Sequence, residues 1–192
     1  MTRRLTRRWP DTWAGHAACG WAVLFGLAHI YAGFGGARVI IEHSVGKERA
    51  SGDSFVMVGL FGTGALCLAA AALALALTRP WGRVLPRWMP IVAGWTAAAV
   101  LIIHSLGAFV ILTLAGADVI ELRTEAVRTF GFTETVLWNV FVFEPPFLLG
   151  GTLFALATRA FTKRSAASPA PADPAASPAT PAEPAPGART TP

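Results

Sequence analysis

Charge is rare in this chain, and the stretches without it are long. No Asp, Glu, Lys or Arg occurs between Asp11 and Arg38, between Asp53 and Arg79, or between Arg87 and Asp118. From Glu134 to Arg159 there is a single charge, Glu144. A hydrocarbon core of ~30 Å takes about 20 residues of helix to cross, and each gap is long enough. An unbroken helix satisfies its own backbone hydrogen bonds, which lipid cannot do for it. The gaps therefore predict an all-α, polytopic membrane protein. Its core is a four-helix transmembrane bundle with spans near 13–35, 55–78, 89–115 and 134–159. The rival is a soluble protein with buried core helices. Four such spans in 192 residues exceed what one core can bury. The run from Gly62 to Leu77 also lacks the polar face that a soluble surface helix carries.

Composition agrees with this. Apolar residues make up 54% and charged residues 14%, where a soluble domain carries roughly a quarter charged. That excludes a wholly disordered chain and argues against an ordinary cytosolic enzyme. Two cysteines exclude a disulfide scaffold. Cys19 and Cys67 fall within apolar spans, offset in depth by roughly 6 Å, and read as packing residues rather than a bridge.

Lys and Arg set the expected orientation. Arg3, Arg4, Arg7 and Arg8 precede the first span, Arg79, Arg83 and Arg87 lie between the second and third, and Arg159, Lys163 and Arg164 follow the fourth. The other two loops hold only Arg38, Lys47, Arg49, Arg123 and Arg128. The positive-inside rule places both termini in the cytoplasm of a multi-pass plasma-membrane protein. Trp9, Trp13, Trp81 and Trp88 then form an inner aromatic belt, with Trp138 at the outer boundary. The net charge of +5 is thereby a topology signal that calls for lipid headgroups and no nucleic acid. A cleavable signal peptide fits the basic start, but the apolar stretch is longer than a usual h-region. No convincing small-x-small cleavage site precedes Arg38, so the first span is expected to stay.

The organisation expected is a basic cytoplasmic N-terminus (1–12), a transmembrane domain (13–160) and a cytoplasmic tail (161–192). The tail is rich in Ala, Pro and Ser and reads as disordered or partly polyproline II. In the outer loop at 38–54, Asp53 or Ser54 is the expected N-cap of the second span. At 118–133, Val119, Leu122, Val127 and Phe130 recur at roughly helical spacing. They predict a short amphipathic helix at the interface, an extension of the third span or an entry to the fourth.

Small residues let helices approach closely in lipid. On the first span Gly15, Cys19, Ala22, Gly26, His29 and Gly33 form such a stripe. On the third, Gly94, Ala97, Leu101, His104 and Ala108 repeat it, so His29 and His104 are expected to face inward. Gly59, Thr63 and Ala71 on the second span read as packing residues. On the fourth, Glu144 precedes Pro145 and Pro146. Each proline removes a backbone donor, so a kink or break is expected there. A carboxyl inside a membrane normally faces protein or a wet cavity. His29, His104 and Glu144 all fall in the outer half of the bundle, with Asn139 nearer the surface. These four are the candidate intramembrane site. They could relay protons, bind an ion, ligand, metal or haem, or simply hold helices together at ~1 kcal/mol per bond. The chain has no GxSxG, Walker loop, CxxC or HExxH, and GFGG at 33–36 follows no strand. No catalytic residue, metal ligand or cofactor is assigned.

AHIYAGFGG at 28–36, RPWGRVLPRW at 79–88 and EPPFLLGGTLF at 144–154 resemble a family of small bacterial membrane proteins. Its members have four helices and are catalogued as a domain of unknown function. Glu144, Pro145, Phe147, Leu148, Leu149, Gly150 and Gly151 occupy the family's fourth-helix pattern; Pro146 replaces an aromatic. The resemblance spans roughly 13–159 and implies the fold and a membrane location, but no activity.

Three functions fit. One is a non-catalytic small membrane subunit or accessory protein, as a homo-oligomer or with a membrane partner protein. Another is a small proton-coupled transporter using Glu144 and His104. The third is an intramembrane redox or cofactor-binding protein.

Overall fold

The computed structural model describes residues 12–50 and 53–166. Almost all of the basic N-terminus and the tail beyond Ala166 lie outside the described residues. The helices are α1 (Trp13–Gly33), α2 (Arg38–Val45), α3 (Lys47–Ala50), α4 (Ser54–Ala76), α5 (Trp88–Gly116), α6 (Glu125–Phe130), α7 (Phe132–Trp138) and α8 (Glu144–Ala166). A 3-10 turn at Pro80–Arg83 joins α4 to α5, and a π-helical turn at Asn139–Phe143 joins α7 to α8. Three helical stretches are long and apolar enough to cross a membrane: α4, α5 and the run Phe132–Ala166. A fourth is reached if α1 and α2, bent by 89° at their junction, count together. The chain is thus a helical, multi-pass membrane protein.

The bundle holds together along three seams. α1 packs on α4, α5 on α8, and α1 on α8, while α4 and α5 touch only lightly. Lipid supplies no hydrophobic force between helices, so close backbone approach must do the work. Glycines mark where that happens. A Cβ on Gly26 would lie 3.1 Å from the Gly64 carbonyl and 3.1 Å from Cys67 Cβ. A Cβ on Gly64 would lie 3.1 Å from the Gly26 carbonyl. The two glycines face one another across the α1–α4 seam. Neighbouring Gly150 and Gly151 serve different partners, because successive helical residues point about 100° apart. Trp21 of α1 lies over Gly150, whereas Gly151 faces Ala98 and Ile102 of α5.

The stripe on α1 is mostly where the sequence places it. Gly15, Ala22, Gly26 and Gly33 are buried, while Cys19 and His29 are partly buried at its edge. On α5 the stripe is displaced by one residue. Its buried face is Gly94, Ala98, Ser105 and Leu112, not Ala97, Leu101, His104 and Ala108. The Ala98–Ser105–Leu112 spacing of seven follows α8 as a coiled-coil seam would. On α4, Ala71 is buried, but Gly59 faces outward with nothing within 4 Å of its Cβ position. Both cysteines are free.

The prolines do not break the fourth span. The helix runs from Phe132 to Ala166 as one span. The Glu144 N–H donates to the Asn139 carbonyl in the π turn, and α8 begins at Glu144. Pro145 and Pro146 come just after this π turn, at the point where the helical hydrogen-bond register shifts. The extra residue of the π turn absorbs the register change. At its far end α8 passes the expected boundary at 160 by six residues, to Ala166. There Arg164 Nη2 donates to the Leu77 carbonyl at 2.7 Å, capping the C-terminus of α4 with a cation.

The loops carry more structure than expected. Gly35, at φ +84°, and Ala37, at φ +53°, turn the chain sharply from α1 into α2. Asp53 is the N-cap of α4: its carboxylate accepts from Phe55 N and pairs with Arg49, which hold its carboxyl below the usual range. The 118–133 helix is shorter than expected. α6 starts at Glu125, leaving Val119 and Leu122 outside it, and serves as an entry to the fourth span through Gly131 at φ +85°.

Leu at Gly26 or Gly64 overfills the α1–α4 seam, whereas Leu at Gly59 or Gly62 meets open space. We expect the first pair to lower thermal stability in mild detergent, at a cost of about 1–3 kcal/mol each, and the second pair to leave it unchanged. Equal melting temperatures across all four would refute this seam.

Candidate functional site

All four sequence candidates line one cavity of about 580 Å³ in the half of the bundle that carries the α1–α4 and α5–α8 connections. His29 comes from α1, His104 from α5, Asn139 from the π turn and Glu144 from the start of α8. Apolar side chains form most of the wall, among them Phe25, Ile41, Val56 and Phe147. α2 closes one side through Ile40, Ile41, Ser44 and Val45. The 89° bend makes this possible, because it lays α2 across the bundle rather than along it.

Glu144 is the anchor of the site. It is 3% exposed, and its Oε2 has no hydrogen-bond partner among the described residues. Ser105 Oγ, also buried, donates to the Glu144 backbone carbonyl at 3.2 Å and ties α5 to the start of α8. His104 lies within Coulombic reach of the carboxyl. It lines the cavity, as an inward-facing residue does, but it is not buried. More than a third of its surface is exposed, and its ring rests 4.3 Å from that of Phe147.

The two histidines do not face each other directly. Phe25 stands 4.5 Å from His29 and 5.2 Å from Phe147, so two phenyl rings intervene in a ladder from His29 to His104. His29 Nδ1 lies 2.9 Å from the Phe25 carbonyl, which can only accept. In the neutral ring this contact puts the proton on Nδ1 and leaves Nε2 as the acceptor. Asn139 Nδ2 donates to the Thr135 carbonyl at 2.8 Å, leaving its Oδ1 as an acceptor. Among the described residues no three His, Cys, Asp or Glu side chains gather as a metal would need.

Sequence reasoning missed Ser44 and Ser105, and it missed His43. That ring is stacked between Phe130 at 4.0 Å and Trp138 at 4.2 Å. Its Nε2 lies 2.9 Å from Glu134 Oε1, and its Nδ1 lies 2.7 Å from the Val39 carbonyl. The clasp fastens α2, one wall of the cavity, to α6 and α7. No pattern within α2 marks it, since its partners lie about ninety residues away. His43→Ala removes two ring contacts, each worth about 0.5–1.5 kcal/mol, together with the Glu134 bond. Faster amide exchange across Arg38–Val45 is the expected result. Glu121→Ala, which loses only the exposed pair with Arg123, should leave exchange there unchanged. Unaltered protection in His43→Ala would show that the clasp does not hold α2.

No curated protein and no solved structure matches the chain. A family model described as "Protein of unknown function (DUF3995)" matches residues 22–154, well over half its length, and contains all three stretches that carry the resemblance. On that match this multi-pass helical membrane protein belongs to the DUF3995 family.

Proposed function

We propose that the chain is a non-catalytic, four-span membrane protein with both termini in the cytoplasm. Its working part is the cavity of His29, His104, Asn139 and Glu144, which binds a small ligand. The observation that carries this reading is Glu144: a carboxyl 3% exposed, with an unpartnered oxygen, on the wall of a cavity. An ionisable group inside a membrane is costly and is found where it has a partner or a wet pathway. The volume falls within the roughly 300–1,000 Å³ common for small-molecule sites. The orientation rests on the basic residues. Arg38, Arg49 and Arg123 of the connecting loops each pair with a nearby acid. Arg79, Arg83 and Arg87 have no acid in sequence between Asp53 and Asp118.

Native mass spectrometry from mild detergent tests the binding reading and reports the oligomer at the same time. The wild-type chain is expected to retain a non-covalent mass that Glu144→Ala loses while keeping its helical circular dichroism. A bare wild-type chain would overturn it.

Proton-coupled transport is a second reading, favoured by His104 and Glu144 standing on neighbouring α5 and α8 within Coulombic reach. It predicts pH-dependent flux in proteoliposomes that Glu144→Gln abolishes; flux retained in that variant removes Glu144 from the pathway.

A further inference from the structure

Beside the cavity, on the outer flank of the bundle, a second hollow of about 570 Å³ runs between α1 and the start of α8. Leu24, Phe141 and Leu149 form its sides and are 72%, 72% and 54% exposed. It shares Phe25, Ala28 and Val142 with the polar cavity. These three residues are a sill between the two spaces. The outer hollow is flanked by α1 and by the span Phe132–Ala166, so what meets it is the bilayer interior. The inner space is lined by His29, Asn139 and Glu144.

We infer that the cavity receives the head of a membrane amphiphile that enters sideways from the bilayer, over the Phe25–Ala28–Val142 sill, and leaves its chain in the α1–α8 groove. This rests on the reading of the cavity as a binding site and names its ligand class. The head is small, carries no phosphate and bears a hydroxyl. Asn139 Oδ1 and, in the neutral ring, His29 Nε2 are acceptors, and a hydroxyl donates to acceptors. No Lys or Arg is among the lining residues to receive a phosphate. The apolar groove suits a hydrocarbon or isoprenoid chain, which is already dehydrated in the bilayer.

The test uses the full chain in phosphatidylcholine vesicles with two photoactivatable diazirine alcohols. One is long-chained and stays in the bilayer, and the other is short and water-soluble. The long-chain alcohol should label residues 139–147, and Ala28→Phe or Leu149→Trp, which fill the sill and the groove, should cut that labelling roughly tenfold. Val58→Phe, on the 70%-exposed outer face of α4, should label as wild type does. Competition by excess long-chain alcohol, but not by the same chain ending in phosphate, supports the hydroxyl head. Labelling by the short alcohol alone overturns lateral entry and leaves the binding site standing. Labelling by neither overturns both. Long-chain labelling indifferent to Ala28→Phe and Leu149→Trp overturns the α1–α8 route, and equal competition by the phosphate overturns the head chemistry.

Discussion

Close backbone contact between helices is what the rest of this structure depends on. In a bilayer apolar side chains gain nothing by leaving lipid for one another, so cohesion comes from packing density and from the few polar contacts. Gly26 against Gly64 draws α1 onto α4, and Gly151 against Ala98 draws α8 onto α5. Gly150 receives Trp21 and joins the two pairs. The fully buried ring of Phe154 packs at that junction against Trp21, edge to face at 6.4 Å. Beyond these contacts the α4–α5 edge stays loosely packed.

The cavity follows from where close packing stops. Toward the connecting loops α1 presents Phe25, Ala28 and His29 rather than an unbroken run of small residues, and α8 presents Glu144 and Phe147. Large rings hold the helices apart there, and the space between them needs a wall. α2 supplies it, because the turn at 34–37 sends the chain across the bundle. The π turn acts in the same region. A regular α-helical register through residues 139–146 would set two prolines in mid-helix, each without its hydrogen bond and each in conflict with the carbonyl four residues earlier. The extra residue of the π turn shifts the register just ahead of Pro145 and Pro146 and leaves Glu144 as the residue at which the new register begins.

The spans of α4, α5 and Phe132–Ala166 were legible in the sequence because lipid imposes a one-dimensional rule. A charge inside the hydrocarbon costs kilocalories, so its absence over about 20 residues is a direct trace of the membrane. Gly15, Ala22, Gly26 and Gly33 were legible for a related reason, since only small residues allow α1 to meet α4. The stripe on α5 was misplaced by one residue. There the sequence Ala97-Ala98 offers two equally small candidates, and only the direction of α8 chooses between them. His104 lies beside that buried row and lines the cavity without being buried itself. At the prolines the helix is distorted by a π turn rather than broken, and a π turn has no signature in residue type alone.

The loops were the least legible part, and the reason is again physical. Outside hydrocarbon the backbone can be satisfied by water, so nothing forces a periodic pattern on the sequence. His43, Phe130, Glu134 and Trp138 come from segments far apart in sequence, and each alone reads as an ordinary interfacial residue. Their meeting joins the α1–α4 connection to the α5–α8 connection, so the two glycine-packed pairs are tied a second time at the loop side. The cavity lies between these two ties. Tight packing below fixes the depth of Glu144, the clasp above fixes the position of α2, and the space left between them is set by both.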